Sequence, residues 1–141
     1  RNINAIPLSI DDSLKVEVEL EGILYSSCSN SKISIEHLLS NSFSKIDNNT
    51  SLLFIAIQIF YSNSDELSDL TQLQNWGFEV PITLRTDDPN QVERWHSQWV
   101  KNELFSNLPT NGIVAKCNSS HTKNILGASP SSPNWAFALT R

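Results

Sequence analysis

Glycine is scarce in this chain: four residues in 141 leave little material for the tight turns that cradle ligands. Cysteine is scarce as well. A small secreted scaffold held by disulfides would carry more than Cys28 and Cys117, so both read as free thiols. Only 18% of the residues are charged, and the surface must be built largely from Ser and Asn. The net charge of −5 disfavours a chain that coats nucleic acid and suits a basic protein partner. No apolar run reaches the roughly 18 to 20 residues that span a bilayer, and no signal peptide opens the sequence. With Arg1 as its first residue, the chain is expected to have lost an N-terminal segment.

The motifs of common chemistries are missing too. There is no Gly-x-Ser-x-Gly, no phosphate-binding loop and no cysteine pair, and His37, His96 and His121 are scattered. The expectation is a protein that is not an enzyme, with no cofactor and no metal.

What is present supports a packed core. Hydrophobic residues make up 39% of the chain, with four Trp and six Phe, and 141 residues suit a single domain spanning 1–141. The stretch from Asn49 to Val80 organises it. Leu52 to Phe60 is a near-continuous apolar run of strand length, suited to the middle of a sheet. Tyr61-Ser62-Asn63-Ser64 breaks it. Asn63, with Glu66 three residues on, has the form of a capping box. The helix that follows carries Leu67, Leu70 and Leu73 on one stripe and ends at Gly77, with Phe78 as the hydrophobic contact of the cap. Phe78-Glu79-Val80 then starts a strand that Ile82-Thr83-Leu84 can extend past Pro81.

Residues 1–13 read as polar and flexible. Leu14, Val16, Val18 and Leu20 alternate with Lys15, Glu17, Glu19 and Glu21, a strand with one apolar and one charged face. The outward glutamates fit either a solvated sheet face or an acidic patch for a partner. Gly22 interrupts this strand, and Ile23-Leu24-Tyr25 follows. Ile35, Leu38, Leu39, Phe43 and Ile46 form the stripe of a first helix. Asp88-Pro89 opens a further helix near 89–108, stopped by Pro109. Its Trp95 and Trp99 suit either packing on the body of the fold or a partner. Ile113 to Ala115 is a short strand, 118–133 is loop in composition, and Trp135 to Leu139 closes the chain as a buried strand. The class is α+β: a mixed sheet covered by two helices, with a third helix inserted between 85 and 133.

The helix that ends in Trp76-Gly77-Phe78-Glu79 is similar to a feature of acyl-CoA N-acyltransferases. Those enzymes bind pyrophosphate on a glycine-rich turn at a helix N-terminus. Here the turn is Tyr61-Ser62-Asn63-Ser64-Asp65-Glu66, which has no glycine and two carboxylates. The resemblance therefore implies the fold without the cofactor site.

More of the chain resembles the ornithine decarboxylase antizymes, as a fungal member given its Asn/Ser-rich character. The carriers are the opening strand, Ser31-Lys32 before a helix with Leu38-Leu39, the strand Leu53 to Phe60, Trp76-Gly77-Phe78-Glu79-Val80, and the closing Trp135-Ala136-Phe137-Ala138-Leu139. The resemblance implies an inhibitor that binds the ornithine decarboxylase monomer and blocks its homodimerisation. It implies delivery to the proteasome without ubiquitin, control of polyamine levels, and synthesis by ribosomal frameshifting. The expected setting is the cytoplasm, with the nucleus as a second compartment. The protein is expected to be a monomer alone and to engage neither nucleic acid nor membrane. Where animal antizymes carry acids in the first helix, this chain has Ser40, Phe43 and Ser44. The partner-binding residues are then Glu36, Asp65, Glu66 and Asp69, with Glu17, Glu19 and Glu21 beside them. Two alternatives stand beside this reading: an interaction module for an unrelated partner on an acyltransferase-like fold, and a degenerate N-acyltransferase.

Overall fold

The computed structural model describes residues 3–4, 18–26, 52–107 and 109–141. The expected first helix, with Glu36, His37, Ser40, Phe43 and Ser44, lies outside them, as do Glu17 and Cys28. The elements in order are β1 (Ile3–Asn4), β2 (Leu20–Ser26), β3 (Leu52–Ile59), α1 (Glu66–Asn75), α2 (Pro89–Val100), β4 (Gly112–Lys116), α3 (Ser120–Leu126) and β5 (Ala136–Thr140). The α+β class follows directly. None of the described helices is long and apolar enough to cross a membrane. The chain divides into two compact units, Arg1–Ser62 with Ser68–Pro81, and Asn63–Leu67 with Ile82–Arg141.

In the first unit the apolar run does form the central strand. β3 lies between β1, which pairs with it in parallel, and β2, which pairs antiparallel. β1 places Ile3 and Asn4 in the sheet, within the segment that composition alone marks as flexible. Gly22 does not interrupt β2. The register slips between Glu21 and Gly22, so that Gly22 faces Ala56 across a bulge. A Cβ there would lie 2.3 Å from Phe54 Cζ and 2.6 Å from the Ile55 carbonyl oxygen, so the close approach of β3 requires glycine.

α1 packs Leu70 and Leu73 into the core with Ile55, Ala56 and Phe78, and Leu73 is wholly buried. Its end is a Schellman motif. Phe78 N–H donates to Leu73 O at 3.0 Å and Gly77 N–H to Gln74 O at 2.9 Å. Gly77 takes φ 90°, which a side chain would disfavour. Phe78 then meets Phe54 edge to face, with ring centroids 6.2 Å apart. The strand expected at 78–84 shrinks to one parallel bridge, Ile55 to Glu79, with Ala56 N–H donating to Glu79 O at 2.8 Å. Pro81 has no N–H to continue a ladder, and Ile82 and Leu84 beyond it are exposed.

In the second unit, Asp88 caps α2 as expected, its Oδ1 accepting from Asn90 N–H at 2.9 Å. The helix stops at Val100, well short of Pro109. Asn102 adopts φ 58°, and Asn102 N–H to Trp99 O and Glu103 N–H to Gln98 O, each 2.9 Å, complete a second Schellman motif. Asparagine serves here where glycine is usual. Trp99 is the buried aromatic of α2 and donates its Nε1–H to Thr110 Oγ1 at 2.8 Å.

β4 and β5 pair antiparallel as a sheet of their own, from Gly112 opposite Thr140 to Lys116 opposite Ala136. β5 is found where expected, but Phe137 is 58% exposed, so it is not the buried strand its composition suggests. His96 Nε2 lies 2.9 Å from the Thr140 carbonyl; a carbonyl can only accept, so this ring nitrogen carries the proton. α3 occupies part of the segment read as loop. Ser119 Oγ caps it by accepting from Thr122 N–H, and Gly127 at φ 64° ends it. Its seven residues leave Ile125 and Leu126 exposed, so no apolar stripe announces it.

Candidate functional site

The expected capping box at Asn63 and Glu66 does not form. The first amides of α1 are satisfied from far along the chain: Glu66 N–H donates to the Asn118 carbonyl at 2.9 Å, and Leu67 N–H to Asn118 Oδ1 at 3.0 Å. The exchange is returned at α3, where Ser120 N–H donates to Asp65 Oδ1 at 2.8 Å. Each helix start is thus capped by the residues just before the other.

Relieved of capping, the Glu66 side chain turns to two lysines. Lys116, the last residue of β4, donates to Oε1 at 2.7 Å, and Lys123 of α3 pairs with Oε2. The side chains are shielded, with 24% of Lys116 and 14% each of Lys123 and Glu66 exposed. Burial pushes the Glu66 carboxyl up, and the hydrogen bonds and charges of Lys116 and Lys123 outweigh it, holding the group below its ordinary range. Lys123 Nζ also lies 4.7 Å from the centroid of the Trp135 ring, a cation–π contact that fixes the ammonium from a second side. Two cations converge on one carboxylate, leaving one positive charge in excess. Such a cluster suits an anion with more than one oxygen to offer.

Three of the acidic residues expected to bind a partner have partners within the chain. Glu66 is held by the lysines and Asp65 by Ser120, while Asp69 accepts from Ser62 Oγ at 2.6 Å. Glu19 and Glu21 are exposed, and Glu17 and Glu36 lie outside the described residues. Reading the sequence missed Lys116, Lys123, Asn118 and Trp135. The signal available was thin: only three cations, Lys116, Lys123 and Arg141, occur in residues 102–141.

No family model matches the chain. Its sequence is similar to proteins named DNA ligase. One from Prochlorococcus marinus (strain NATL2A) is 34% identical over 68 residues, 48% of this chain and 10% of the relative. One from Ehrlichia chaffeensis is 36% identical over 70 residues, 49% of this chain and 10% of the relative. One from Christiangramia forsetii is 29% identical over 76 residues, 53% and 11% respectively. The matched segment spans about a tenth of the length of these curated relatives.

These matches correct the antizyme resemblance. With it go the inhibitor function, ornithine decarboxylase and the proteasome as partners, and the polyamine and frameshifting associations. The carriers of that resemblance were strand and helix patterns that many α+β domains need; Trp76-Gly77-Phe78, for one, is a helix cap closed on the core. The expectations of no enzyme and no nucleic acid are overturned as well, since the relatives are enzymes named for DNA. The two alternatives, an unrelated interaction module and a degenerate acyltransferase, do not fit the matches either. Net charge misled because it is a sum over the chain. The second unit holds six Lys and Arg against six Asp and Glu, so the whole −5 falls on residues of the first.

Proposed function

We propose that this chain is part of a DNA-ligase-related protein and that Lys116 and Lys123 of its second unit meet DNA phosphate. The similarity to DNA ligases carries the reading. Sealing a DNA strand joins a phosphate to a hydroxyl, and such chemistry is helped by fixed cations aimed at phosphate oxygens. Affinity for DNA likewise comes from lysine and arginine neutralising phosphates. The paired ammonium groups at the end of β4 and on α3 supply that chemistry in an electrically neutral unit.

The fold is read at the level of α+β. Among the described residues, β4 and β5 pair with each other in a sheet of their own, apart from that of β1, β2 and β3. A role on DNA implies a compartment that contains DNA, which either the cytoplasm or the nucleus can be.

The test is fluorescence anisotropy with a labelled nicked duplex and the full chain. Binding at low salt that falls steeply with added salt, and at least about tenfold weaker binding by the double variant Lys116→Ala/Lys123→Ala, is the expected result. A folded chain that leaves the nicked duplex unbound at low salt overturns the reading.

A further inference from the structure

We propose that Glu66 is an internal stand-in for phosphate: it occupies Lys116 and Lys123 while the site is empty and swings off them when a phosphate group binds. This rests on the assignment of the two lysines to phosphate. The geometry is that of a bridging oxyanion, because each carboxylate oxygen takes one ammonium. A phosphate offers the same pair of oxygens with more charge, and so neutralises the positive charge that Glu66 leaves over.

The surroundings let the side chain leave without dismantling the site. The backbone N–H groups of Glu66 and Leu67 are fixed by Asn118, so the helix start stays in place while the glutamate side chain rotates. Lys123 keeps its position over Trp135, which does not depend on Glu66. Lys116 is held by its place in the β4–β5 ladder opposite Ala136. The carboxyl is held below its ordinary range by the lysines, so it remains charged near neutrality. Its release is therefore a competition between anions and not a protonation.

The full chain is titrated with three probes: a nicked duplex carrying a 5′-phosphate at the nick, the same duplex with a 5′-hydroxyl, and inorganic phosphate. Removing the competitor raises the fraction of binding-competent sites, so Glu66→Gln should bind phosphate about tenfold more tightly than the wild type. A gain confined to the 5′-phosphorylated nick assigns the site to a strand end, and an equal gain on both duplexes assigns it to backbone phosphate. If Glu66→Gln loses its fold by circular dichroism, Glu66→Asp replaces it, since the shorter carboxylate cannot bridge both lysines. It should then bind a few-fold more tightly. Unchanged or weaker binding by the folded Glu66 variant, while Lys116→Ala/Lys123→Ala weakens binding, overturns the stand-in and leaves the lysine assignment intact. Binding unaltered by the lysine variants removes both.

Discussion

Glu66 and Lys116, fifty residues apart in the chain, form a 2.7 Å ion pair that joins the first residue of α1 to the last residue of β4. Neither residue lies on an apolar stripe, and the one motif suggested for Glu66, a capping box with Asn63, does not form. Their meeting depends on where Asn118 holds the start of α1.

The pair makes stability depend on pH in a definite direction. The folded carboxyl titrates below its ordinary value of 4.5, so its contribution is complete above that value and is lost as pH falls through the folded value. Glu66→Gln should cost about 1 to 2 kcal/mol at pH 7, less than for a fully buried pair because solvent screens the cluster. Thermal melts of both proteins from pH 7 to pH 3 should show the gap closing below 4.5. A gap that persists at pH 3 would attribute the cost to packing instead.

The caps exchanged between α1 and α3 predict a graded series at Asn118. Asn118→Ala removes the side-chain acceptor of Leu67 N–H and should cost about 1 to 2 kcal/mol in urea unfolding. Asn118→Asp keeps an acceptor there and should recover most of that loss. Equal destabilisation by both substitutions would argue that the side-chain bond contributes little.

Gly22, next to the register shift in the β2–β3 pair, should resist any side chain. In Gly22→Ala the new methyl meets Phe54 Cζ at 2.3 Å and backbone at 2.6 Å, and overpacking of that kind costs about 1 to 3 kcal/mol. In Gly112→Ala the one tight contact is the Leu139 carbonyl oxygen at 2.9 Å, with Thr140 Cγ2 at an ordinary 3.5 Å, so it should be the milder change of the two. Denaturant midpoints would rank them, and the reverse order would contradict the described register of β2.

Asn102 ends α2 by tolerating φ 58°. Asn102→Gly should be nearly neutral, although it gives up the 2.6 Å hydrogen bond from Arg141 Nη2. Asn102→Val should lose about 1 to 2 kcal/mol, the left-handed region being worst for a branched side chain. Equal melting temperatures for the two variants would count against this cap.

On DNA, each lysine that reaches a phosphate should contribute about one unit to the slope of log binding constant against log salt. Lys116→Ala and Lys123→Ala are expected to reduce that slope singly, and together by about twice as much. An unchanged slope would place the phosphate contacts elsewhere.

Much of the fold was legible in local chemistry. The apolar run of β3, the Gly77-Phe78 helix end, the Asp88-Pro89 helix start and the short strand at Ile113 are written in neighbouring residues, and each was found. What was not legible depends on partners distant in sequence. The alternating glutamates suggested a strand that Gly22 would break, but β2 runs on through it, paired with Ala56, and the residue left over is Ile57 of β3. The end of α2 rests on a residue, Asn102, that is left-handed only because the chain turns there. The site suffered most, since Lys116, Asn118, Lys123 and Trp135 acquire meaning only once residues 65–67 are beside them.

The exchange of caps also gives the short helix α3 a kinetic identity. Seven residues without an apolar stripe do not hold a helix in water, since nucleation is unfavourable and isolated helices below roughly 12 residues are marginal. The amides of α3 are therefore expected to gain much of their protection from hydrogen exchange when Asp65 caps Ser120, a contact across 55 residues. Exchange at Thr122 and Lys123 should then report that long-range event, at the same rate as opening at residues 65–67.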